Sequence, residues 1–312
     1  MTDNRFSQDV WPELNYHKWQ DTCTTLHLWT QIAGKIRLVK TPWINHSWHA
    51  TLYVMPRGLS TSPIVEGTRQ FQIDFDFIDH RLVIQVSDGQ TCSLPLQPMA
   101  VADFYGEVLA GLQQLGIRVR IHPLPNEISD PIPFPEDRSH GAYDAGYVQR
   151  FWRVLLQCDR VFKQFRAGFI GKCSPVHFFW GSFDLAVTRF SGRPAPVHPG
   201  GIPYLPDAVT REAYSQEVSS AGFWPGGGPL DYAAFYSYAY PPPGGFSTAP
   251  IVPEAAFYSP ELGEFLLPYD AVRAADNPDV LLQAFLQSTY EAAANGAGWH
   301  RAALERNPVP PF

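Results

Sequence analysis

Between Gln70 and Ser87 the chain alternates: Phe71, Ile73, Phe75 and Phe77 interleave with Gln70, Gln72, Asp74 and Asp76, and Leu82, Ile84 and Val86 answer after Asp79-His80. Side chains repeat every second residue along a strand, so this stretch predicts an antiparallel hairpin with one buried and one wet face. Asp74 and Asp76 fall on the wet face and read as solvated groups rather than a working carboxylate pair. Elsewhere the apolar repeat lengthens to that of a helix. Trp19, Cys23, Leu26 and Ala33 make one stripe and Leu28, Trp29, Ile32 and Ile36 another, predicting a helix from Tyr16 to about Gly34 that is buried on most sides. Gly34 either ends that helix or marks a close approach, and His27 within it reads as a hydrogen-bonded core histidine. Pro98 opens a second helix whose stripe runs from Val101 to Leu115, with Gly116 as its cap. Tyr147, Phe151, Val154, Leu155, Cys158, Phe162 and Phe165 mark a third and long one. Its other face carries Arg150, Arg153, Arg160, Lys163 and Arg166 diluted by Gln and Asp, the make-up of a solvated face.

The longest apolar and aromatic run is SPVHFFWGSFDLAVTRF, Ser174 to Phe190, with His177, Ser182 and Asp184 near its middle. Read as one central strand, it sets His177 and Phe179 on one face and Trp180, Ser182 and Asp184 on the other. A bulge at Gly181 would shift the register and bring His177 to the face of Asp184. A further strand is expected through Trp48, Ala50, Leu52 and Val54. His46 and His49, three apart, then point to opposite faces and share no metal unless the chain turns at His46.

These elements predict an α+β protein of antiparallel sheets packed by long helices. The Pro-rich stretch PLPNEISDPIPFPEDRSH, residues 123–140, reads as a linker between an N-terminal α+β half (1–122) and a C-terminal one (141–312) with long Pro/Gly/aromatic loops. Both halves run from a long helix through Gly-Lys, a His and a Trp into a strand, and later into a Pro-initiated helix. Two diverged related halves would explain that order, with the junctions at Gly34 and Gly171 equivalent.

Composition narrows the function classes. With 45% hydrophobic and 17% charged residues the 312-residue chain is globular, and a net charge of −7 with no basic cluster argues against a nucleic-acid partner. No apolar run approaches the roughly 18 residues of a membrane span and no leader opens the chain, so no membrane is expected and the cytoplasm is the default compartment. Cys23, Cys92, Cys158 and Cys173 form no CxxC pair and read as buried thiols. GxSxG, P-loop, GxGxxG and HExxH signatures are all missing, and no metal or other cofactor is called for.

A site is expected in the C-terminal half, where Arg189 to Tyr269 is dense in Pro, Gly and aromatics and poor in charge. Within it Tyr232, Tyr236, Tyr238 and Tyr240 share one side of a strand opposite Phe235 and Ala239, an apolar wall edged with hydroxyls. Trp180, Asp184, Trp224 and Tyr236 are the expected ligand-binding residues, suited to a small ring-containing or amphipathic ligand. The alternative is a hydrolase-type enzyme using His177 or His198 with Asp184 or Glu217.

The segments WPELNYHKWQDTCTTLHLWTQIAGKIRL, SPVHFFWGSFDLAVTRFSGR, HPGGIPYLPDAVTREAYSQEVSSAGFWPGGG and AAFYSYAYPPP resemble a bacterial family of uncharacterised proteins, a domain of unknown function, over nearly the whole chain. That resemblance implies no activity and transfers no catalytic residue.

Overall fold

The alternating stretch folds as its pattern requires. In the computed structural model, which describes residues 10–306, β4 (Arg69–Asp76) pairs antiparallel with β5 (Arg81–Val86), Phe71 opposite Val86 and Phe75 opposite Leu82, and the inward side chains are buried. With β1 (Tyr53–Met55), β2 (Gly58–Ser60), β3 (Ile64–Glu66) and β6 (Thr91–Pro95) they make a six-stranded sheet of order β1-β2-β4-β5-β6, with β3 also on β4.

The helical stripes give α1 (Gln20–Lys40), α2 (Val101–Gln114) and α3 (Ala145–Ala167). Gly34 does not end α1. It sits six residues short of the C-terminal Lys40, where a Cβ would run into the Trp180 ring, so the glycine serves the close packing of that indole. Asp144 caps α3 by accepting the Tyr147 amide at 3.0 Å, and Trp29 stacks on Phe104 of α2 at 4.5 Å. Cys23 and Cys158 are buried as expected, while Cys92 and Cys173 are half-buried, and all four are free thiols.

The run from Ser174 to Phe190 is not one strand. It is a hairpin, β7 (His177–Phe179) and β8 (Asp184–Pro194), closed by a turn over residues 180–183 in which Phe183 takes a left-handed φ of 57°. His177 lies opposite Ala186 and Phe179 opposite Asp184, so pairing rather than a bulge brings His177 to the face of Asp184. The stretch before β1 departs too: Asn45–Ser47 is a short 3-10 turn with His46 at φ 59°, and only Tyr53–Met55 is strand.

A short helix α4 (Asp207–Ala213) leads into β9 (Gln216–Trp224) and β10 (Ala234–Tyr240), followed by β11 (Phe257–Ser259) and β12 (Glu264–Pro268). The second sheet has the order β11-β12-β10-β9-β8-β7, all antiparallel. Helices α5 (Tyr269–Arg273), α6 (Pro278–Gly296) and α7 (Arg301–Leu304) complete the described chain. Leu185, Val187, Phe223 and Phe235 face α3 and α6, where Phe162 meets Phe235 edge-on at 6.3 Å, and the opposite face is left for other uses.

The two sheets touch at their first strands. Leu52, just before β1, and Phe178 of β7 exchange two backbone hydrogen bonds of 2.8 Å, and one continuous buried cluster runs from Trp11 to Trp299. Each sheet thus starts with an edge strand that follows a long helix, the order expected of related halves, yet Gly34 lies inside α1 whereas Gly171 follows the end of α3. The Pro-rich segment 123–140 is packed, with Phe134 and Asp137 fully buried.

Candidate functional site

The uncovered face of the second sheet floors a cleft of about 990 Å³. Alternation along β8 presents Asp184, Ala186, Thr188 and Phe190, β9 presents Ser220 and Trp224, and β10 presents Tyr236 and Tyr238. Walls come from both halves: Lys35 of α1, the segment Trp43 to Ala50, residues 122–127, the hairpin turn with Trp180, and Tyr204 to Tyr214.

Gly222 makes the floor possible. It pairs with Ala186 on one side and Tyr236 on the other, and a Cβ there would collide with the Tyr236 ring and hydroxyl. The bare backbone lets the phenol lie across β9 and donate to Asp184 Oδ2 on the far strand, while the Ser182 hydroxyl donates to Oδ1. A second row of hydroxyls runs parallel: Thr188 Oγ1 meets Ser220 Oγ at 2.8 Å, and the Tyr238 hydroxyl meets that of Tyr214 at 2.9 Å. Trp224 packs on the Tyr236 ring at 4.5 Å.

Three carboxyl groups line this cleft, Glu127, Asp184 and Glu264. Burial pushes the Asp184 carboxyl up to about 6 against the pull of its two hydroxyl donors. Burial, reinforced by the nearby Asp184 charge, pushes Glu127 to about 7 and Glu264 to about 8. Glu264 Oε2 is buried without a hydrogen-bond partner, and among the described residues none of the three carboxyls is in an ion pair. Glu127 takes a left-handed φ of 58°, and its carboxyl lies over Gly181, where a Cβ would displace it. No three His, Cys, Asp or Glu side chains among the described residues are placed to share a metal ion.

Along α1, His27, Gln31 and Lys35 form a polar stripe spaced four residues apart. His27 Nε2 bonds the Gly181 carbonyl at 2.8 Å and fixes the hairpin turn, and burial drives its pKa down to about 4. Gln31 bonds both the amide and the carbonyl of Asn126, at 2.8 and 2.9 Å. Lys35 donates to Asn126 Oδ1, and Asn126 Nδ2 in turn holds the Tyr204 carbonyl at 2.6 Å, so one asparagine ties α1 to the loop over the cleft. Lys35 is 4% exposed, lies near the Trp180 and Phe134 rings, and is lowered to about 8 by burial.

The four expected ligand-binding residues Trp180, Asp184, Trp224 and Tyr236 all line the one cleft. The expected catalytic sets are not assembled. His177 is fully buried beside Phe179, Trp48 and Tyr53 and is no part of the cleft, and burial followed by the Arg37 charge lowers its pKa to about 3, so it stays neutral. His198 stacks on Tyr214 at 4.8 Å, outside the lining, because its ring nitrogen closes the HPGG turn onto the Gly200 amide. Glu217 is held in a 2.6 Å ion pair by Arg193. His46 does reach the cleft, its two ring nitrogens engaged by the Ala213 carbonyl at 3.0 Å and by Lys172 at 2.6 Å, whereas His49 folds back on Ile44.

Sequence reading missed Lys35, Asn126, Glu127 and Glu264. The first has a visible signal, polar residues at 27, 31 and 35, four apart on one face of a helix. The others are brought in by tertiary structure. No curated protein and no solved structure matches this chain. A family of unknown function, DUF5996, matches residues 11–306, and the chain belongs to that family.

Proposed function

We propose that this protein binds a small ring-containing ligand in the aromatic cleft of its second sheet. The observation that carries the reading is the convergence of Trp180, Trp224, Tyr236 and Tyr238 with the Asp184 carboxyl on one concavity of about 990 Å³, large enough for a drug-sized molecule. Aromatic faces supply contact area and the carboxyl fixes orientation. A thermal-shift screen over aromatic and sugar compounds is the first test, since a ligand that binds only the folded chain raises its melting temperature. Trp224→Ala should weaken any hit by about tenfold, because the half-buried indole forms part of the wall and its loss spares the core. Hits unaffected by Trp224→Ala would place the ligand elsewhere. Asp184→Asn is the companion variant. Asp184→Ala would leave the Ser182 and Tyr236 hydroxyls unpaired, at a cost of about 1–3 kcal/mol, and would confuse affinity with stability.

Acid–base chemistry is the second reading, favoured by the spread of proton affinities from Asp184 at about 6 to Glu264 at about 8 within one cleft. Mass spectrometry of each hit after incubation separates the two: an unchanged ligand speaks for a binder, a converted one for an enzyme.

A further inference from the structure

Glu127, Asp184 and Glu264 come from three separate elements, a loop, the start of β8 and the start of β12, and face one cleft without a cation beside them. Burying like charges together is unfavourable unless something compensates. Lys35 does not compensate: its ammonium donates to Asn126 and lies near the Trp180 and Phe134 rings, and among the described residues it forms no ion pair with any of the three carboxyls. Asp184 is partly satisfied by two hydroxyl donors, but among the described residues one buried Glu264 oxygen has no hydrogen-bond partner, and neither does the Glu127 carboxyl. Among the described residues no three such groups are placed to hold one metal ion. The walls around the carboxyls are aromatic faces, which attract organic cations.

We propose that the occupant of the cleft carries a positively charged nitrogen next to its ring, lodged among Glu127, Asp184 and Glu264. This rests on the ring-binding reading above and names the chemistry of the ligand. An alkylammonium head would accept the carboxylates as counter-ions and donate to the free Glu264 oxygen, while its ring lies against Trp224 and Tyr236. A neutral head would leave the carboxylate charge uncompensated, and an anionic one would add a further like charge.

Three indoles that differ only in their side-chain head separate these cases: tryptamine, tryptophol and indole-3-acetate, titrated calorimetrically into the full chain at about pH 9, above the value of about 8 for Glu264 and below that of a primary alkylamine, so that carboxyls and amine are largely ionised. Tryptamine should bind about tenfold more tightly than tryptophol, and indole-3-acetate most weakly. In the double variant Glu127→Gln, Glu264→Gln the preference should shrink to about twofold with tryptophol binding unchanged, because the amides keep the shape and remove the charge. Equal or tighter binding of tryptophol or indole-3-acetate would overturn the cation while leaving a ring binder. A tryptamine preference that survives the double variant would overturn the assignment to these residues. Binding of none of the three up to millimolar concentration would overturn the ring reading and this inference together.

Discussion

Gly222→Ala is expected to lower stability by about 3 kcal/mol and to detach Tyr236 from Asp184. The added methyl would fall on the Tyr236 phenol and also on the Leu185 carbonyl oxygen. A side chain can swing away, but that carbonyl belongs to β8, whose Leu185 pairs with Phe223, so the backbone cannot move without opening the β8–β9 ladder. Overpacking of this kind costs about 1–3 kcal/mol, and releasing the Tyr236 hydroxyl from a buried acceptor adds a comparable amount. Gly106→Ala is the contrast. Gly106 sits in α2 with open space around its Cα, and alanine there should stabilise by about 0.5–1 kcal/mol. Urea unfolding midpoints read both, and an unchanged midpoint for Gly222→Ala would mean the phenol does not cross β9.

The second large effect is on pH dependence. Glu264 holds its proton up to about 8 in the fold, well above its ordinary value near 4.5, so the protonated form is favoured by folding. Its contribution is complete below about pH 4.5 and is lost as pH rises through about 8. Glu127 at about 7 and Asp184 at about 6 act in the same direction. His27 at about 4 and His177 at about 3 act oppositely: buried neutral, they contribute fully above about pH 6.5 and lose that contribution as pH falls through those values. Glu264→Gln should therefore match the parent near pH 4 and exceed it near pH 9 by on the order of 2 kcal/mol, a figure discounted for the water that reaches the cleft. Melting temperatures of the two proteins across that range check it. A difference that stays constant with pH would show that Glu264 titrates alike in the folded and unfolded chain.

Where one face of an element is buried and the other wet, the sequence reported the structure well. The hairpin from Gln70 to Val86 and the striped helix α3 both follow from periodicity, and so does the alternation that puts Tyr236 and Tyr238 on one face. The run from Ser174 to Phe190 was misread for the opposite reason. Both strands of that hairpin are buried and aromatic, so Gly181 and Ser182 read as a bulge and a polar face within one strand rather than as a turn, and Phe183 adopts a turn conformation that its residue type does not advertise. In the site, Trp180, Asp184, Trp224 and Tyr236 could be picked out because aromatics and a lone carboxylate stand out in an apolar, Gly-rich context. Glu127 and Glu264 could not. One lies in a Pro-rich stretch that looks like a connector, the other opens a short strand where a glutamate is ordinarily a surface residue, and only pairing and packing bring them to the Asp184 carboxyl.

The paired bonds between Leu52 and Phe178 have a consequence for handling the chain in pieces. A first strand with nothing beside it offers unpaired amides and carbonyls to any neighbouring chain, the ordinary starting point of aggregation. Here β1 and β7 shield one another, so each half acts as the other's edge guard. Fragments 1–122 and 141–312 expressed separately should self-associate, and mixing them should restore a monodisperse particle, readable by light scattering; stable monomeric fragments would mean that the seam is dispensable.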